Sequence, residues 1–155
     1  MTINELYIKT KSANIQKQFK SVIGRLLKSQ QIKELAADLN RVRLDETGKD
    51  ILGNDMRTFK AVGGNAYSNK TIIIKEGKGQ TTNHFTGKDT GKLHDSIKAV
   101  GTAKTIRIVA NQSSMNDLSE NIDTTNMLGF TDGDIEIIIE EIRPEIFNEI
   151  ISYLQ

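Results

Sequence analysis

The chain has no cysteine and no tryptophan, and its 155 residues include a single proline. Without thiols there is no disulfide, no thiolate metal site and no cysteine nucleophile, so zinc and iron–sulfur chemistry lose their best ligands. Aromatic residues make up only 5% and arginines do not cluster, which leaves neither stacking platforms nor bidentate base readers for nucleic acid. No stretch approaches the roughly 20 apolar residues that a bilayer span requires, and Met1–Lys11 lacks the apolar run of a secretion signal. A soluble protein made in the cytoplasm is the expectation, with no membrane partner.

What is present suits one folded domain over residues 1–155. Hydrophobic residues account for 37% and charged residues for 26%, and the apolar ones fall in blocks, which predicts a core with long exposed loops. A net charge of +1 hides a division along the chain. Residues 1–69 carry 12 Lys and Arg against 7 Asp and Glu, and residues 70–115 carry 8 against 3. Residues 116–155 hold ten acids against Arg143 alone. An acidic C-terminal element therefore has a basic body to meet, in its own subunit or the next, unless it is only a solvated face.

Leu6 and Ile8 alternate with Tyr7, the period of a short strand over residues 4–9. From Ser12 the period changes: Ile15, Phe19, Val22, Ile23, Leu26 and Leu27, then Ile32, Leu35, Ala36 and Leu39, recur every three or four residues. This predicts helix over 13–41, continuous or restarted with Ser29 as a cap. Residues 44–66, rich in Gly, Asn and Asp, read as a long loop. Thr71–Ile74 fits a strand by β-branching, or a short helix capped by Ser68. A second loop spans 76–89, and a single helical turn follows near Leu93. Ile97, Ala99, Ile106, Ile108 and Ala110 alternate about Gly101–Ala103, which predicts a hairpin. Residues 111–126, mostly Asn, Ser, Asp and Thr, read as a loop; this loop and 44–66 are the segments expected to order on contact with a partner. Thr131 is a good N-cap for a last helix with Asp132 and Asp134 in its first turn. Its apolar stripe runs Ile135, Ile138, Ile139, Ile142, Ile146, Ile150 and Leu154, and Pro144 predicts a kink or a fresh helix start near Arg143.

Chemical motifs are weak. Gly64–Thr71 has Asn69 where a phosphate loop needs its second glycine, and Gly77–Gln80 is explained by turn chemistry. His84 and His94 lie near Asp89 and Asp95, but ten residues of loop match no metal-ligand spacing, so a loop histidine and a surface histidine are expected. His94, Asp95 and Ser96 are sequence neighbours, whereas a nucleophilic triad gathers from separate elements. No cofactor or metal site is expected, and no catalytic residue is assigned.

Asp89-Thr90-Gly91-Lys92-Leu93-His94-Asp95-Ser96-Ile97 resembles the Thr-Gly-basic-Leu-x-Asp-Ser-Ile signature of phage virion morphogenesis and tail-completion proteins. Tyr67–Lys75 resembles their Tyr-Ser-x-x-Thr-Ile-x-x-Lys stretch, and Leu128-Gly129-Phe130-Thr131, opening an acidic helix that contains Pro144-Glu145-Ile146, fits the closing element of related minor tail proteins. The resemblance covers roughly residues 65–150 in the right order. It implies a short helix over 68–75, and structural roles for Tyr67, Ser68, Thr71, Thr90, Gly91, Leu93, Ser96 and Ile97, with Thr90 as a cap and Gly91 for close packing. It further implies a ring-forming structural protein of the virion neck or tail, not an enzyme, whose partners are itself and connector, portal-adjacent or tail-tube proteins. Candidate subunit contacts are Asp132, Asp134, Glu136, Glu140, Glu141, Glu145 and Glu149. The expected fold is α+β: a long N-terminal helix and a C-terminal helix packed on a small antiparallel sheet, with long loops. A DNA-binding accessory protein is the alternative, with a small hydrolase using His84 and His94 behind it.

Overall fold

The computed structural model describes the backbone of residues 3–155 and the side chains of residues 12–153 and 155. Helix α1 (Ile3–Leu26) ends in a turn where the Ser29 amide bonds the Leu26 carbonyl at 2.9 Å. Ser29 is extended (φ −61°, ψ 148°), and its Oγ accepts from the Ile32 amide, so α2 (Gln30–Glu46) starts there. The two-piece helix is as expected, with wider ends. The strand expected over residues 4–9 does not form, because those residues belong to α1. Three alternating residues are a weak pattern, and neither Gly nor Pro interrupts α1 before Gly24.

Thr71–Ile74 resolves as helix. Ser68 Oγ caps the Thr71 amide and opens α3 (Asn69–Gly77). A single turn, α4 (Lys92–Ser96), leads into β1 (Lys98–Gly101), which pairs antiparallel with β2 (Ile106–Val109); Ala99 faces Ile108 in this register. The polar stretch after the hairpin is not a loop throughout. Asn111 Oδ1 accepts from the Ser113 amide at 2.8 Å and opens α5 (Gln112–Ser119), whose Met115 and Leu118 lean on the core. Its other faces meet water, which explains the polar composition that hid it.

The loop after α2 begins at Thr47, later than expected, runs to Ser68, and is pinned. Thr58 bridges Ile122, and the Phe59 amide bonds the Asn121 carbonyl at 2.7 Å, so the two segments are tied to each other within the chain. Thr131 then caps α6 (Asp132–Leu154), which runs unbroken through Pro144. Pro144 is exposed, so the carbonyl it leaves without a donor can turn to water, and no second helix is needed.

Two apolar clusters share α2. One joins Ala37 and Leu44 to Tyr67, Phe85, Leu93, Ile97, Ile122 and Met127. The other joins Ile32 and Ala36 to Val22 and Leu26 of α1, Ala99 of β1, and Ile138 and Ile142 of α6. The N- and C-terminal helices thus pack together and on the sheet. The hairpin lies so close to the α1–α2 corner that a Cβ added to Gly101 would overlap the Leu27 carbonyl, and one added to Gly24 would stand 2.9 Å from the Ala103 oxygen. No helix among the described residues is long and apolar enough to cross a membrane.

Candidate functional site

The segments Tyr67–Lys75 and Asp89–Ile97 meet. Tyr67, at the end of the loop before α3, is buried with its ring centroid 5.8 Å from that of Phe85. Its hydroxyl accepts from the Thr86 amide at 2.8 Å. In the last turn of α3, Lys75 is only 5% exposed. Its Nζ stands 4.9 Å from the centre of the Tyr67 ring and donates to the Lys88 carbonyl at 2.7 Å and to Gln80 Oε1 at 3.0 Å. Burial holds the Lys75 ammonium below its usual range, against the pull of Asp89, and pushes the Tyr67 hydroxyl above its own. Thr86 links the halves: its carbonyl accepts from His94 Nε2 at 2.7 Å.

Leu93 and Ile97 enter the core as expected, and Arg41 of α2 donates to the carbonyls of His94 and Ile97 at 2.9 and 2.6 Å, closing the end of α4. Ser96 Oγ donates to the Leu93 carbonyl and accepts from the Asn111 amide, joining the turn to α5. Two expectations are corrected. Gly91, not Thr90, is the N-cap of α4, and Thr90 is exposed. Gly91 is required by its left-handed φ of +84°, not by close packing: an added Cβ would meet nothing nearer than 3.7 Å.

The acidic residues of α6 divide by environment. Asp134 is 8% exposed, and its Oδ2 accepts from Arg43 of α2 at 2.8 Å and from the Thr131 amide at 2.9 Å. Arg43 also donates to Asn40 Oδ1 and the Met127 carbonyl, and Asn40 Oδ1 accepts from the Gly129 amide. Asp134 therefore locks α6 to α2 within the subunit and offers no carboxylate to a neighbour. Burial lowers the Arg43 pKa, and the Asp134 carboxylate beside it opposes that shift. Glu145 and Glu149 face Arg25 of α1 at 3.3 and 2.6 Å, and Glu141 accepts from Gln31 at 2.6 Å. The acidic helix meets the basic body inside one chain along this edge. Asp132, Glu136 and Glu140 stay exposed.

The Ile stripe is only partly inward. Ile138 and Ile142 are buried, whereas Ile135 and Ile139 remain exposed because α1 and α2 cover a narrower face than the stripe spans. Phe147 and Ile151 lie exposed beside them. Sequence periodicity signalled the apolar face but not its width. The histidines are occupied separately. His84 Nε2 donates to the Asp45 carbonyl, and His94, expected on the surface, is buried. Among the described residues, no three His, Asp or Glu side chains gather as a metal site would require. The chain matches no protein-family model, no curated protein and no solved structure.

Proposed function

We propose that the protein is a structural subunit of a tailed-phage virion, set at the head–tail junction or the tail end, where it assembles into a ring and joins other neck or tail proteins. The observation that carries this reading is the convergence of the two signature segments. Tyr67, Lys75, Thr86, His94, Leu93 and Ile97 form one packed, hydrogen-bonded node. Their polar atoms bond one another, Gln80 and the backbone, so these side chains serve to hold chain segments together. Such residues maintain a shape, which is what a subunit of an assembly must keep. In this reading the protein is made in the host cytoplasm, ends in the virion neck or tail, and performs no catalysis.

Deleting the coding sequence from the phage or prophage that carries it is the test. Heads and tails that accumulate unjoined, or tails with open ends, are expected under the electron microscope. Normal infectious particles would end the proposal. Retention of the purified protein on DNA, falling steeply with salt, would transfer support to a DNA-binding accessory role.

A further inference from the structure

We propose that a second copy of this chain docks the acidic, apolar outer stripe of α6 onto the basic, apolar wall formed by residues 57–60 and α3, joining subunits head to tail. The inference rests on the ring reading above and names the two surfaces that would make the ring. Glu136, Glu140, Arg143, Phe147 and Ile151 follow one another at spacings of four, three, four and four, so they share one side of α6, and all are exposed. Phe147, 63% exposed, borders a groove of about 610 Å³ that α6 forms with Phe19 and Ile23 of α1.

The opposing surface has the same mixture with the other sign. Phe59, Lys60, Lys70 and Ile74 line a groove of about 550 Å³, and Ile73 beside it is 70% exposed. Of the five Lys and Arg in residues 57–78, Lys75 is buried and Arg57 and Lys78 pair with Asp55 and Asp89, which leaves Lys60 and Lys70 exposed and free to meet an acid, while residues 132–154 carry seven Asp and Glu against Arg143. Asp117 of α5, Glu120 just after it, and Asp89, which pairs with Lys78, also line the second groove, so the attraction is carried by Lys60 and Lys70 on the 57–78 wall. Among the described residues, neither Glu136 and Glu140 nor Lys60 and Lys70 take part in an ion pair within the chain, unlike Glu145 and Glu149. Each surface repels its own kind and attracts the other. A symmetric dimer through either one is disfavoured, and the heterologous contact that remains generates a ring when its rotation closes.

Light scattering on the purified protein at rising concentration, with electron microscopy of the same samples, provides the test. Wild type is expected to assemble beyond one chain. Glu136→Lys with Glu140→Lys abolishes assembly, and so does Lys60→Glu with Lys70→Glu. Mixing the two variants restores it, since every mixed junction again joins opposite charges. A wild type that is monomeric up to its solubility limit overturns the proposal, as does undiminished assembly of either variant or a mixture that stays monomeric. Should a variant fail to fold by circular dichroism, cysteines placed in a chain that has none give a second measurement. Phe147→Cys with Ile73→Cys is expected to form a ladder with a bismaleimide, and Phe147→Cys alone to stay single; dimers from Phe147→Cys alone overturn the contact. Unjoined particles together with a monomeric protein would remove this contact and leave the virion role standing, whereas normal particles with assembly in solution would do the reverse.

Discussion

Gly101 tests the packing of the hairpin on the helical corner most directly. Replacing it with alanine adds one methyl group at a backbone conformation alanine tolerates, so the effect is steric alone. The new Cβ would lie 2.7 Å from the Leu27 carbonyl carbon and 3.2 Å from Lys28 Cα, and it would overlap the Leu27 oxygen. Reaching ordinary contact of 3.4 Å with the carbon requires β1 to retreat by about 0.7 Å, and clearing the oxygen requires more. The obstacle is backbone held by the last turn of α1 and the Ser29 cap, so it cannot swing away as a side chain would. Overpacking costs roughly 1–3 kcal/mol, and a rigid neighbour places Gly101→Ala at about 3 kcal/mol. For a domain of this size that lowers the melting temperature by roughly 6–12 °C. Gly77→Ala is the control: nothing lies within 4 Å of its added Cβ, and in α3 the change is neutral or stabilising by up to about 1 kcal/mol. Urea denaturation followed by circular dichroism measures both. An unchanged midpoint for Gly101→Ala would refute the close approach of hairpin and corner.

Asp134→Ala strands Arg43 and removes half of the capping box, and a loss of about 3–5 kcal/mol is expected, whereas Glu149→Ala, at a solvent-exposed pair, shifts stability by less than about 1 kcal/mol. Paired denaturation curves compare the two, and equal effects would contradict the burial difference. Lys75→Met tests the buried ammonium. Its folded-state pKa is lowered by burial, so the unfolded chain binds the proton more tightly. Wild type should therefore gain stability relative to Lys75→Met as pH rises from that lowered value towards the unfolded value near 10.4, and a pH-independent difference would exclude this titration. Gly91→Ala forces a left-handed φ on a residue with a Cβ and should cost about 1–2 kcal/mol, while Thr90→Ala, not being the cap, should be nearly silent. Thermal melts showing the opposite order would restore Thr90 as the cap.

Local signals in the sequence were dependable where a side chain serves its own neighbours. Ser29, Ser68 and Thr131 each accept from the amide three residues ahead, so their roles were readable without knowing the fold. The alternation from Ile97 to Ile108 likewise located the hairpin. Asp134 was misread because a first-turn acid looks the same in sequence whether it faces water or an arginine 91 residues earlier. A signal existed: Thr131 and Asp134 have capping-box spacing, which turns the carboxylate back towards the backbone. His94 was misread for a related reason, since its burial depends on Thr86 arriving from a separate loop. Residues 4–9 and α5 failed differently. In the first, three alternating residues were outweighed by an uninterrupted helix, and in the second, Asn and Ser concealed a helix that buries only Met115 and Leu118. The exposed surfaces around Phe147 and Ile73 had no signature, because an isoleucine-rich run does not say which of its residues lack a cover.

Ala36 and Ala37 are adjacent in α2, yet one belongs to each apolar cluster. Because α2 is a wall of both, neither cluster can come apart while the other keeps its packing. The signature node around Tyr67 and the α1–α6 pair are therefore expected to melt in one transition, with amide hydrogens of α2 exchanging only when the whole domain opens. Strain applied to α6 would reach the node around Tyr67 along a rigid helix instead of being absorbed by a linker.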